Sequence, residues 1–262
     1  MGAWARWGAP RKATKKEELI CVLGLYYLDR ILLPAAVIPA VVLLVKIYKA
    51  DKREKEPPEL LASLVIYGVL ATALAIFAER LGGWLLPRLM QPNTLAYQAV
   101  EYFVVVGLSE EAAKYLLLKR RTWNSPAFNY TFDGVVYAAF VSLGFALWEN
   151  ISYVMMYGLE TALVRAVTAV PGHACFGVLM GALYGAAKKY EGLCQEGRMK
   201  ACRFLAVACP ALIHGGYDFL ASLGGNYEAL FFAYIAALFL GAFLLVRRLS
   251  REDEFIQGSR YW

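Results

Sequence analysis

Gly107-Leu108-Ser109-Glu110-Glu111-Ala112-Ala113-Lys114-Tyr115-Leu116-Leu117-Leu118 sets two adjacent carboxylates and a lysine inside a stretch that otherwise reads as membrane-spanning. Insertion scales charge about 2.5–3.5 kcal/mol for an ionised residue at the centre of a spanning helix. Three such groups within five residues therefore cost on the order of 10 kcal/mol if they stay unpaired. A chain that keeps them needs partners on other segments.

The surroundings decide the fold class. The 262 residues are 60% hydrophobic and only 18% charged. That balance excludes a soluble globular domain and fits an all-α, polytopic membrane helical bundle. The net charge of +6 sits in lysines and arginines that flank apolar runs, which is a topology signal and not a nucleic-acid footprint. Five cysteines, at 21, 175, 194, 202 and 209, form no CxxC pair and read as apolar fillers.

A helix needs about 20 apolar residues to cross the hydrocarbon core. On that measure the spans are 28–48, 60–78, 95–118, 131–156, 161–187, 202–223 and 228–246. Seven is the expected number, within a range of six to eight. Basic residues follow the first span (Lys46, Lys49, Lys52, Arg53, Lys55), the third (Lys119, Arg120, Arg121), the fifth (Lys188, Lys189, Arg198, Lys200, Arg203) and the seventh (Arg247, Arg248, Arg251). The alternate loops carry few, so the odd-numbered spans should end in the cytoplasm. Residues 28–247 then form the membrane domain and 248–262 a short cytoplasmic tail. Residues 1–27 read as a basic N-terminal extension lying at the interface. Its Arg6, Arg11, Lys12, Lys15 and Lys16 conflict with an external N-terminus, a conflict that an interfacial placement softens.

Polar residues inside the other spans recur at helical spacing. They are Phe145-x-x-x-Glu149-Asn150, His173-x-x-x-Gly177 and His214-x-x-x-Asp218. His173 and His214 are the only histidines of the chain. Lys114 lies i,i+4 from Glu110 and i,i+3 from Glu111, so it can neutralise either. Asp218 lies i,i+4 from His214 and can orient its ring. Gly177 leaves room for another backbone or a substrate. At about 1.5 Å of rise per residue, Glu110, His173, His214 and Glu149 lie roughly 22, 18, 14 and 10 Å from the outer ends of their spans. They can meet in one buried site. Asn150 taken alone reads as helix glue, Asp133 as a cap or hinge, and Arg165 and Glu101 as surface-seeking side chains.

These motifs, in this order, resemble the signatures of the PrsW family of intramembrane proteases, related to the CAAX prenyl proteases and bacteriocin-immunity-type membrane proteins. Phe132-Asp133-Gly134-x-x-Tyr137 and the charged loop 51–57 fit the resemblance, which covers roughly 28–246. It implies site-1-type cleavage of a single-span substrate, such as a membrane-anchored anti-sigma factor, on the outer side of a prokaryotic plasma membrane. The family's catalytic groups fall on Glu110, Glu111, Glu149, His173 and His214, with Lys114, Phe145, Asn150 and Asp218 in support.

The leading expectation is metal-independent hydrolysis with a glutamate as general base and no cofactor. Glu111 is the favoured base, although adjacent residues point about 100° apart on a helix. His173 and His214 would stabilise the oxyanion or protonate the leaving nitrogen. The rival is a zinc site made by His173, His214 and a carboxylate such as Glu111. A proton-coupled transporter is the alternative outside the proteases. The partners are the lipid bilayer and a membrane-anchored substrate; the sequence leaves the oligomeric state open.

Overall fold

A computed structural model describes residues 28–256; the expected interfacial extension 1–27 and residues 257–262 lie outside the described residues. After a π-helical turn, Leu28–Leu32, helix α1 spans Leu33–Ala50 and α2 spans Pro58–Leu89. The third rod, α3, joins Leu95–Val100, a π-helical segment Glu101–Leu108 and Ser109–Thr122. Then come α4 (Asp133–Tyr157), α5 (Leu159–Val167), α6 (Ala169–Gly192), α7 (Glu196–Leu223) and α8 (Glu228–Leu249). The described residues contain no strand, only one isolated bridge between Tyr130 and Phe255. Six segments are long and apolar enough to cross a membrane, with α5 and α6 together making one of them. The seventh rod, α3, carries the charged stretch. The chain is a helical membrane bundle.

Two boundaries differ from the sequence reading. The second span continues past Ala78, through Glu79, to Leu89. The fifth is broken at Thr168, whose φ/ψ of −120°/−75° separates α5 from α6. Pro171 accounts for the break. It has no N–H to offer the Val167 carbonyl, and its ring would clash with that carbonyl in a continuous helix.

α4 is the axis of the bundle, with every residue from 132 to 146 buried. Such a helix must be surrounded by its neighbours, and close backbone approach makes that feasible. A Cβ on Gly177 would lie 2.7 Å from Ser142 Cβ and 3.0 Å from the Ala138 carbonyl. α6 therefore packs backbone-close on α4, and Ser142 Oγ donates to the His173 carbonyl at 2.7 Å. α3 meets α7 in the same way: a Cβ on Gly215 would be 2.6 Å from Phe103 Cα. At the opposite extreme, α8 buries only Ile235 and turns Leu240, Phe243 and Leu244 outward. In a bilayer that face meets lipid.

The basic loops gather at one end. Lys188 donates to the Trp123 carbonyl at 2.8 Å, Lys189 pairs with Glu254, and Ser250 Oγ donates to the Ala50 carbonyl. The segment after α8 folds back, with the Phe132 amide donating to Asp253 at 2.8 Å and the Ile256 amide to the Asn129 carbonyl at 2.7 Å.

Candidate active site

The helical spacing of Glu110-Glu111-x-x-Lys114 does what the geometry requires. Lys114 Nζ lies 3.1 Å from Glu110 Oε2 and 2.7 Å from Glu111 Oε1. It also reaches across to α6, 3.1 Å from His173 Nδ1, and lies 4.0 Å from the centre of the Phe145 ring. The ammonium is fully buried. Left in hydrocarbon without these acceptors it would carry a desolvation penalty of several kcal/mol.

Two other helices close the cluster. From α6, His173 Nε2 lies 2.9 Å from Glu149 Oε2 on α4. From α7, His214 Nδ1 lies 3.0 Å from Glu111 Oε1 and 3.8 Å from Glu110 Oε2, and its Nε2 is 3.3 Å from Asp218 Oδ2. The two imidazoles meet edge to face with centroids 5.2 Å apart, and Phe176 stacks on His214 at 4.6 Å. The partners assign the ring protons. An ammonium only donates, so His173 Nδ1 accepts and its Nε2–H donates to Glu149. His214 stands between two carboxylates, so both of its nitrogens donate.

All nine residues singled out from the sequence take part in this region. Glu110, Glu111, Lys114, Glu149, His173, His214 and Asp218 form the polar network, Phe145 faces the Lys114 ammonium, and Asn150 binds beside it. Asn150 Nδ2 donates to the Ala36 carbonyl at 2.8 Å, tying α4 to α1. Arg165, set aside in the sequence as surface-seeking, belongs here. Its Nη2 is 2.9 Å from Glu149 Oε2, and its Nε donates to Asn150 Oδ1 at 3.1 Å. Glu79, one residue past the expected end of the second span, belongs here as well. Cys175 faces a different cavity, with Ala174 and Phe243.

A cavity of about 610 Å³ reaches the cluster. Glu79, Glu110, Glu149, Arg165, His173, His214 and Asp218 supply its polar wall; Tyr153, Val164, Tyr217, Phe231 and Phe232 are among its apolar residues. Glu110 lines this cavity, whereas Glu111 is wholly enclosed behind it. Glu111 Oε2 is buried with no hydrogen-bond partner. Glu110, Glu111, His173 and His214 each offer a donor atom, and the four lie within 4.8 Å of one another. Two imidazoles and two carboxylates suit zinc, and the partnerless Glu111 oxygen leaves a lone pair for it. Lys114 would have to leave, because its ammonium is within hydrogen-bond distance of three of those four residues.

The profile of the PrsW family intramembrane metalloprotease matches residues 56–246. The chain is 34% identical over 192 residues to Protease PrsW of Geobacillus kaustophilus, covering 72% of this chain and 79% of that protein. Protease PrsW of Shouchella clausii is 30% identical over 221 residues, covering 84% and 96%. Protease PrsW of Bacillus subtilis is 31% identical over 196 residues, covering 75% and 85%. No solved structure matches. With a family match across most of its length and relatives aligned over most of theirs, the chain belongs to the PrsW family of intramembrane proteases.

Proposed function

We propose that this protease hydrolyses a peptide bond of a single-span membrane protein, with Glu110 as the general base. The observation that carries the proposal is that Glu110 alone of the paired glutamates borders the cavity, beside His173, His214 and Glu149. Glu111, the base favoured by sequence, is held by Lys114 and His214 and does not border the cavity. Its role is to position both. Glu110 takes a proton from water as the oxygen attacks the carbonyl carbon. The His214 Nε2–H, 3.3 Å from Asp218 in the cavity wall, donates to the oxyanion in place of Asp218. A donor of that kind contributes about 2.7–4 kcal/mol to the transition state. The proton on Glu110 then passes to the leaving nitrogen as the C–N bond breaks. Glu149 holds His173, and Arg165 holds Glu149.

The cavity-lining residues Tyr153, Val164, Ala221 and Phe231 lie near the turns at Gly158 and Gly224, away from the basic loops. With those loops in the cytoplasm, cleavage takes place toward the outer leaflet of a bacterial cell membrane. A membrane-anchored anti-sigma factor has the required form. The test is purified protein in proteoliposomes with a single-span reporter substrate, the cut mapped by mass spectrometry. A cut at the outer end of the substrate's span supports the proposal; a cut at its cytoplasmic end contradicts it.

The family's metalloprotease description and the partnerless Glu111 oxygen favour a second reading. His173, His214 and Glu111, with Glu110 beside them, would hold zinc in place of the Lys114 ammonium. Bound there, zinc would acidify a water to a pKa of about 7 and polarise the carbonyl. Stoichiometric zinc in active protein, with activity lost on chelation, would favour this reading over the glutamate one.

A further inference from the structure

A second acidic cluster lies at the basic end of the bundle, apart from the active site. Asp51 follows α1, Glu56 precedes α2, and Asp133 begins α4. The three are 2%, 3% and 1% exposed, and each offers a carboxylate oxygen within 4.8 Å of the others. Among the described residues, no lysine or arginine forms an ion pair with any of them. The nearest candidate, Lys55, spends its ammonium on the main-chain carbonyls of Tyr48 and Asp51. Three enclosed carboxylates with only the Lys55 ammonium near one of them are costly to assemble.

Their remaining bonds show which oxygens are spoken for. The Tyr137 hydroxyl donates to Glu56 Oε2 at 2.6 Å, and the side chains of Glu56 and Asp133 share a hydrogen bond. The amides of Asn129 and Tyr130 donate to Asp133 Oδ2 at 3.0 and 2.7 Å. Asp51 accepts from the Arg53 amide, yet its Oδ2 is buried and has no partner at all. Asn129, adjacent through its amide to Asp133, likewise has a buried side-chain oxygen without a partner. Orphaned buried acceptors are rare and ask for a ligand that accepts nothing and only attracts oxygen.

We infer that Asp51, Glu56 and Asp133 bind a hard divalent cation of the calcium or magnesium type. An all-oxygen, carboxylate-rich donor set suits such ions and not zinc or copper. Burial pushes the Glu56 carboxyl up to about 7 and raises Asp51 above its usual range, a rise that the nearby Lys55 charge only partly offsets. The ion would clamp the loop between α1 and α2 to the start of α4, the helix on which Glu149 is mounted.

Terbium luminescence on the full chain in detergent tests this, since Tyr137 contacts Glu56 and can sensitise a bound lanthanide. Saturable emission, competed by calcium or magnesium, is expected. Emission should weaken by about tenfold or more in apparent affinity in Asp51→Asn and, as a second variant, Asp133→Asn. It should persist in Glu111→Gln, which alters only the active-site cluster. The relative strength of calcium and magnesium as competitors identifies the ion. Absent saturable emission, or emission unchanged in both folded Asp variants, or emission abolished by Glu111→Gln, would overturn the inference.

Discussion

Lys114 Nζ on α3 lies 3.1 Å from His173 Nδ1 on α6, so the cation that neutralises the paired glutamates also fixes the tautomer of a histidine on another helix. Removing one partner of a buried ion pair typically costs about 3–5 kcal/mol, because the remaining charge is left uncompensated. Lys114→Met should therefore lower the melting temperature in detergent by many degrees and abolish cleavage. Restoring neutrality with Glu111→Gln in the same chain should recover part of the stability. A Lys114→Met protein as stable as the parent would show that the ammonium is not what holds the cluster.

Arg165 to Glu149 is a different kind of contact, partly exposed at the cavity wall. A hydrogen bond to a charged group is worth about 1.5–3 kcal/mol, or roughly 10- to 100-fold in rate if its loss misplaces Glu149 and His173. Arg165→Gln should reduce kcat by that order with little change in melting temperature, and Arg165→Lys should recover part of it. Unchanged kcat in Arg165→Gln would remove Arg165 from the positioning network.

Much of this site is legible in the chain because an α-helix fixes which residues face one another. Glu110, Glu111 and Lys114 meet for that reason, as do His214 and Asp218. The span count follows equally from the length of apolar runs. Arg165 is not legible from depth alone. It stands near the outer end of an apparently continuous span, and only the break at Thr168 gives α5 its own direction. Pro171 is the signal that could have exposed that break. The choice between Glu110 and Glu111 is beyond the sequence for another reason: it depends on which neighbour covers which face of α3, and α7 covers Glu111.

That covering depends on close packing. Gly215 admits Phe103 so tightly that a Cβ would fall 2.6 Å from its Cα, whereas a Cβ on Gly83 would meet open space. Gly215→Ala should push α7 from α3, separate His214 from Glu111 and destabilise the protein by about 1–3 kcal/mol. Gly83→Ala should be neutral or slightly stabilising, since alanine favours the helix. Equal effects for the two would contradict the packing argument.

The acidic cluster at the basic end of the bundle has a pH signature in chelator. Glu56 is raised from 4.5 to about 7 by burial, with Asp51 and Glu54 adding repulsion, while the hydroxyl of Tyr137 and the side chain of Asp133 bond to it. The folded protein keeps this proton where the unfolded chain has lost it, so stability should fall as pH rises from about 4.5 to about 7 and level off above. Glu56→Gln should flatten that part of the melting-temperature profile. A profile that rises through the same window would contradict the assignment.

Cleavage of a single-span reporter by Glu110→Gln in proteoliposomes bears most directly on the central claim. Removing the base while keeping its shape should lower the rate by about 10²–10⁴, with the helical circular dichroism and melting behaviour of a folded protein retained. Wild-type cleavage by folded Glu110→Gln would contradict the claim that Glu110 activates the water.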